Sequence, residues 1–404
     1  MATRIAPIST SWKLRGIGAI MFCQIQNTSE KEVLKILHLT NHLNTGGITT
    51  YIQTLAAEQV KAGHDVFVWG AQGTCSEDLK ARGITVLDDV PCCKSELSPR
   101  LWLALPKLIK IFKAHSIDII HTHTRVTQVL ATGATLFVKI PYVSTAHMFY
   151  KRRLGRRLFP CWGKAVIAIS KVMEEGLRTI FKEKELPPIT VVSNGIDVEK
   201  LRSKFDGVDR VKVRESYGYR NEDFVVLSLC RLIPVKGVHI LIEAFAVARK
   251  EIPELKLLVA GAGDSVYTQG LKDRVAALHL EGDVLFIGNE PEIEKPLRAA
   301  DIFVAPYLWP EAFGLSVLES MAVGLPVVGS ISGGIVDLLG HGKYGLLFER
   351  ENISDLVSCL GRYREVPLRS AMGKAARQAA MEYTSVQMCE RIQKVYDHVL
   401  KEKA

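Results

Sequence analysis

Asp301-Ile-Phe-Val-Ala-Pro-Tyr307 and, three residues on, Glu311-Ala-Phe-Gly-Leu-Ser-Val-Leu-Glu319-Ser-Met-Ala-Val323 decide the architecture of this chain. The first run reads as a buried strand. Pro310-Glu-Ala-Phe-Gly314 reads as a turn, and the apolar run Leu315 to Val323 as a buried helix. Strand, short loop and helix form the repeating unit of a parallel α/β sheet. A helix start exposes unpaired backbone N–H groups and a partial positive charge, which suits an anion. A diphosphate could lie on the N–H groups of Phe313, Gly314, Leu315 and Ser316. Glu311 would stand ahead of it and Glu319 about a turn and a half inside the helix, each able to grip hydroxyl groups. Taken alone, the two glutamates also read as a solvated loop residue and a helix residue, so the rest of the chain must arbitrate.

Outward from this stretch, the same pattern repeats. Short apolar runs occur at 33–39, 65–69, 84–87, 117–121, 142–145, 165–169 and 190–192. A second series follows at 224–229, 256–260, 284–287, 302–305, 326–328 and 345–348. Amphipathic segments such as 50–61, 238–250 and 354–363 lie between them. Continuous buried strands joined by helices predict two parallel sheets, each covered on both faces. The turn Asn194-Gly-Ile-Asp197 marks the break. The expected organisation is two doubly wound Rossmann-like domains facing a central cleft, at 33–203 and 204–384. The helix 385–401 would return to complete the first. Residues 1–32 read as a disordered extension with a poor signal-peptide-like apolar stretch, or as residues preceding a start at Met21.

Composition bounds the function. With 404 residues, 48% hydrophobic and 24% charged, the chain is a globular protein with room for two cores. Its eight cysteines show no zinc-type spacing and read as reduced thiols, which together with the lack of a long apolar run predicts a cytoplasmic location. Charge divides unevenly: residues 1–200 carry 26 basic against 16 acidic residues, and residues 201–404 carry 26 against 27. The basic half is densest from Met148 to Lys164, with Lys151, Arg152, Arg153, Arg156 and Arg157 among its cations. Phe149, Tyr150, Phe159 and Trp162 stand beside them. The amphipathic run from Trp102 to Lys113 adds three lysines. Nucleic acid, lipid headgroups or a charged acceptor could each explain these segments; the expected partner is an anionic membrane surface or a charged acceptor and not nucleic acid, with a peripheral place on the cytoplasmic membrane face.

Ligands of doubly wound folds collect where strands end and helices begin. The first such end carries Gly46 and Gly47, which permit close backbone approach to a phosphate or make an ordinary turn. Arg231 and Lys236, with four residues between them, follow the first strand of the second series and can neutralise a diphosphate. Gly261-Ala-Gly263 follows the next strand but lacks the third glycine of a dinucleotide fingerprint, since Val266 stands there. His147 closes the fifth strand. His121 and His123 point to one side of a strand but have no third ligand, so they make a poor metal site. No Asp-x-Asp pair for a divalent ion occurs.

Taken together, the Asn44-Thr-Gly-Gly47 loop, His147, Ser193-Asn-Gly-Ile-Asp197, Arg231 with Lys236, Gly261-Ala-Gly263 and the Glu311/Glu319 pair resemble family 4 glycosyltransferases of the GT-B fold. The resemblance runs from about Leu34 to Lys401. It implies a retaining, metal-independent, hexosyltransferase-like enzyme with no cofactor. That enzyme would use a nucleoside-diphosphate sugar donor and a saccharide or lipid-linked acceptor, in cell-envelope polysaccharide, lipopolysaccharide or glycolipid synthesis. It further implies that Glu311 meets the transferred sugar, Glu319 the ribose hydroxyls, Arg231 and Lys236 the diphosphate, and His147 the donor sugar. Backbone at Gly47 and from Gly314 to Ser316 would help. A nucleotide-sugar epimerase of the same fold, or a non-catalytic nucleotide-sugar-binding protein, are the alternatives.

Overall fold

The computed structural model describes residues 33–88, 95, 96, 98–151 and 154–402, without the side chains of Leu154 and Arg157. The expected extension 1–32, together with Arg152 and Arg153, lies outside the described residues. From Leu34 onward the chain forms one compact unit.

Two parallel sheets organise it. The first contains β1 (Lys35–His42), β2 (Asp65–Ala71), β3 (Thr85–Leu87), β4 (Ile119–Thr122), β5 (Tyr142–Ala146), β6 (Ala165–Ala168) and β7 (Ile189–Val191), in the spatial order β3-β2-β1-β4-β5-β6-β7. The second contains β8 (Phe224–Leu229), β9 (Leu255–Ala260), β10 (Val284–Gly288), β11 (Ile302–Ala305), β12 (Val327–Ser330) and β13 (Leu346–Phe348), ordered β10-β9-β8-β11-β12-β13. Central strands such as β4 and β11 are buried along their whole length. That burial is why apolar residues fill consecutive positions instead of alternating. Each sheet reverses direction of winding once, between β1 and β4 and between β8 and β11. Those two gaps are the switch points where a doubly wound sheet opens a crevice.

The strand β11 is fixed at its start by Asp301. Its carboxylate accepts from Arg210 at 2.7 Å, from the buried Arg214 at 2.6 Å and from the Val225 amide at 2.8 Å. A buried carboxylate needs such partners, and three donors supply them. The loop that carries Glu311 therefore leaves from an anchored strand.

The chain crosses between the sheets twice, side by side. Ile196 pairs with Thr384 in a parallel bridge; the Ile196 amide donates to Tyr383 O at 3.0 Å and the Ser385 amide to Ile196 O at 2.9 Å. A Cβ on Gly195 would stand 2.3 Å from the Thr384 carbonyl oxygen, so only glycine lets the two crossings touch. This corrects the expected boundary between residues 203 and 204. That position lies inside the helix Val198–Gly207, which packs on the helices Glu294–Ala299 and Leu315–Ala322 of the second domain. After the return crossing, the helix Ser385–Lys401 packs on the helix Gly47–Lys61 of the first domain.

Candidate functional site

The second switch point brings Lys236 and Glu311 together. Lys236 ends the 3₁₀ turn Pro234–Lys236 after β8, and Glu311 lies in the loop after β11. The Lys236 ammonium is hydrogen-bonded to the Glu311 carboxylate and sits 3.8 Å from the centre of the Tyr307 ring. Both side chains are largely shielded, at 18% and 25% exposure. Arg231, five residues earlier, is exposed and makes no ion pair or side-chain hydrogen bond among the described residues. It is therefore available to an incoming anion.

The helix Leu315–Ala322 begins beside this pair. Gly314 caps it at φ 101°, a left-handed conformation that favours glycine. Phe313 is 5% exposed and packs edge-on against Tyr383, so only its backbone can meet a ligand. Ser316 shares a hydrogen bond of 3.0 Å with the Tyr307 hydroxyl. The side-chain carboxylate of Glu319, one turn into the helix, accepts no hydrogen bond among the described residues. Burial pushes its carboxyl up from 4.5 to about 7. A shielded carboxylate with unused acceptors is what a pair of hydroxyl donors would satisfy.

The Glu311 loop is supported from below and from across the cleft. Ser332 Oγ donates to Trp309 O at 2.7 Å, and the Gly334 amide to Glu311 O at 2.8 Å. Ser170, at the end of β6 in the first domain, donates to Ala312 O at 2.6 Å. The two domains thus meet at the loop that holds Glu311. Nothing in the sequence singled out Ser170, Tyr307 or Ser332, whose roles depend on contacts far along the chain.

Gly46 and Gly47 lie at the first switch point, where β1 leads into the helix Gly47–Lys61, and a Cβ on either would meet nothing within 4 Å. The space above them is open. Gly261 differs. At φ 132° its missing Cβ would fall 1.9 Å from Cys230 O, so this glycine is required by the β8 loop crossing it.

His147, just past β5, belongs to a buried polar cluster. His123 Nδ1 lies 3.1 Å from His147 Nε2, and His123 Nε2 lies 3.0 Å from His38 Nδ1. His38 Nε2 meets Gln59 Oε1 at 2.7 Å. His121 bonds Tyr396 and Thr145, each at 2.6 Å. Burial lowers the pKa of His38 to about 4 and of His147 to about 3, and puts His121 and His123 well below the usual value, so all four rings are neutral near pH 7. His38 supplies the third histidine that the sequence pair lacked, and ring nitrogens of the three lie within 4.8 Å of one another. All six ring nitrogens are nonetheless engaged in hydrogen bonds. His38 was missed because it reads as a single polar residue in a core strand; its register opposite His121 comes only with the sheet.

The basic cluster differs from expectation. Arg156 is 6% exposed and is stacked over Tyr150 at 4.3 Å and Trp162 at 4.5 Å, with Nη1 unpartnered. It holds the loop together instead of facing outward, and Trp162, 2% exposed, is core. Phe149 and Tyr150 are half-buried; Lys151 is exposed. The Arg157 side chain, like Arg152 and Arg153, lies outside the described residues. Of the four aromatic residues expected at the surface, Phe159 alone is exposed. A more open apolar patch lies elsewhere. Trp102 covers Gly133 of the helix Arg125–Thr135, one turn before Leu136 and Phe137; with Leu103, these side chains are exposed, as are Lys110 and Lys139 of the same chain segments. No helix among the described residues is long and apolar enough to cross a membrane.

Comparison with known proteins bears on this arrangement. Residues 45–200 match the model for Glycosyltransferase Family 4, and residues 209–379 the model for Glycosyl transferases group 1. The alpha-monoglucosyldiacylglycerol synthase of Streptococcus pneumoniae is 27% identical over 326 residues, covering 76% of this chain and 73% of that protein. An uncharacterized glycosyltransferase of Methanocaldococcus jannaschii is 28% identical over 320 residues, covering 74% of this chain and 80% of its own. Among solved structures, Anabaena HepE in complex with UDP-glucose superposes with a TM-score of 0.77 at 25% identity, over 90% of this chain and all of that one. A Rickettsia africae glycosyltransferase shares the fold, with a TM-score of 0.80 at 20% identity, over 91% of this chain and 99% of its own. The two family models between them cover β2 to β13, and the chain belongs to the family 4 glycosyltransferases of GT-B fold.

Proposed function

We propose that this glycosyltransferase moves a sugar from a nucleoside-diphosphate sugar to a hydroxyl of an envelope saccharide or lipid-linked acceptor, with retention of anomeric configuration and without a metal. The observation that carries the reading is the Lys236–Glu311 pair beside the start of the helix Leu315–Ala322, at a switch point. Lys236, the unpaired Arg231 and the backbone N–H groups from Gly314 to Ser316 would hold the diphosphate and stabilise the charge that develops as it leaves. Glu319 would accept from the ribose hydroxyls and Glu311 from the transferred sugar. His147 and the open Gly46–Gly47 backbone would close over the donor from the first domain, excluding water. Glu311 is drawn to Lys236 and away from any role as a nucleophile, which favours departure and attack on one face, the leaving phosphate taking the acceptor's proton.

The donor class is supported by HepE, solved with UDP-glucose. The acceptor class is supported by relatives named for lipid-linked substrates, including an Escherichia coli galactosyltransferase acting on a diphosphoundecaprenol glycan, 26% identical over 309 residues. Gly261 would act indirectly, by allowing the Arg231 loop its path. The epimerase and non-catalytic alternatives gain nothing from these relatives.

Docking on an anionic membrane surface belongs to the same proposal. Its surface would be the patch of Trp102, Leu103, Leu136 and Phe137 with the nearby lysines, a combination suited to interfacial binding.

Incubation with UDP-, GDP- and ADP-sugars, with and without EDTA, tests the function. Transfer, or slow donor hydrolysis giving the retained anomer first, supports it. Epimer formation, or loss of turnover with EDTA restored only by a divalent ion, overturns it.

A further inference from the structure

Gln59, His38, His123 and His147 stand in single file from the helix Gly47–Lys61 to the cleft, joined by contacts of 2.7, 3.0 and 3.1 Å. A neutral imidazole has one N–H and one lone pair, so each ring passes on the direction of the hydrogen bond it receives. The direction is set at the buried end. Gln59 is 1% exposed, and its Nε2 donates to the Tyr396 hydroxyl at 3.3 Å, which turns Oε1 towards His38. His38 must then donate from Nε2 and accept at Nδ1. His123 donates to it from Nε2 and accepts at Nδ1, where His147 donates from Nε2. The last nitrogen, Nδ1 of His147, has no partner among the described residues and is left with a lone pair.

We propose that Gln59, oriented by Tyr396, is a positioning residue that holds His147 as its Nε2–H tautomer through His38 and His123, so that Nδ1 offers an acceptor to a hydroxyl of the bound substrate. The hydroxyl's identity rests on the proposed function; the order of tautomers does not. The rings are held neutral by burial, so no member of the line gains a second proton and breaks the order. An acceptor also suits the chemistry. Glycosyl transfer builds positive charge on the sugar ring, next to which a lone pair is tolerated better than a donor. A wrongly held histidine tautomer is known to be costly where the ring meets reacting atoms. Turning the Gln59 amide over would reverse every bond and make Nδ1 a donor.

The test is a long-range ¹H–¹⁵N correlation spectrum of the full-length labelled protein near pH 7, which separates the two neutral tautomers of each ring. The His147 signal is identified by its loss in His147→Gln. The expected result is a His147 ring protonated at Nε2 and bare at Nδ1. Gln59→Met should convert this signal to mixed tautomers and lower kcat roughly ten-fold, the lower end for outer partners of a positioned histidine, with the KM for donor little changed. Gln59→Glu, which keeps an acceptor facing His38, should restore the parent pattern. Tyr396→Phe gives a second variant that loosens the same amide. A parent His147 protonated at Nδ1 overturns the proposal, as does an unchanged tautomer in both Gln59→Met and Tyr396→Phe. Tightly held zinc, with histidine signals that move on chelation, overturns it too, because the metal would take the same lone pairs. An Nε2–H pattern in a protein that neither binds nor turns over any donor would leave the relay standing and remove the proposed function.

Discussion

Lys236 and Glu311 are each other's partner: the ammonium rests on the carboxylate and over the Tyr307 ring. A bound diphosphate would compete for that ammonium, and a bound sugar for the carboxylate. The pair is thus preset for a ligand that needs both.

Lys236→Ala and Arg231→Ala should each cost roughly 2–4 kcal/mol of transition-state stabilisation, as removal of one positioned electrostatic partner does. Folding should survive, because Arg231 is exposed and Lys236 borders the cleft. Thermal melts and kcat/KM measured together check this. Normal turnover in either variant would place the diphosphate elsewhere.

Glu311→Gln and Glu319→Gln should separate kinetically. The first should depress kcat and blur sugar selectivity, since Glu311 faces the part of the donor that changes. The second should weaken binding of donor and free nucleoside diphosphate alike, with less effect on kcat. Calorimetry with the nucleoside diphosphate tells them apart; equal losses of affinity would refute the assignment.

Glu319 should make donor binding pH-dependent. With its carboxyl raised to about 7, a fraction is protonated at neutral pH, and affinity for a nucleoside-diphosphate sugar should rise as pH climbs through 7. The donor's phosphodiesters do not titrate there, so the step belongs to the protein. The same shift has a stability consequence of opposite sense. The folded carboxyl holds a proton that the unfolded one releases, so stability falls as pH rises from 4.5 to about 7. Glu319→Gln should remove that fall, gaining on the parent in Tm across this window and no further above it. Parallel Tm curves for the two proteins would contradict the shift.

Binding to anionic but not neutral vesicles, lost at high salt, should depend on Trp102, Leu103, Leu136 and Phe137. Each nearby Lys contributes roughly 1 kcal/mol at such a surface. A Trp102→Ser/Leu103→Ser/Phe137→Ser variant should stay in the supernatant on co-sedimentation while a variant of Phe159 alone should still pellet. Arg156 is left intact in both, because its stacking between Tyr150 and Trp162 supports the loop. Indifference to lipid charge would rule the docking out.

The strands were legible because buried parallel strands leave continuous apolar runs such as Phe224 to Leu227, and the helix starts because Gly314 and its neighbours announce them. Lys236 and Glu311 could be paired from topology alone, since both follow strands flanking a switch point. What stayed hidden depended on register and on distant chain. His38 reads as one polar residue in a core strand until β1 is set beside β4. Gly261 reads as a phosphate-binding glycine until Cys230 O is found where its side chain would be. Arg156 sits in a run of cations, and nothing local distinguishes the one that aromatic rings enclose.

The returning helix Ser385–Lys401 has a consequence for how the molecule is made. Tyr396 closes the polar centre of a sheet whose last strand ends at Val191. At roughly 5–20 residues per second, the ribosome needs about 10–40 s to make the intervening stretch. During that time the first sheet has its strands but not its keystone: Gln59 and His121 lack their tyrosine, and the apolar face of the helix Gly47–Lys61 is uncovered. The second domain, continuous in the chain, can mature first. The half that begins the protein is the half that finishes folding last.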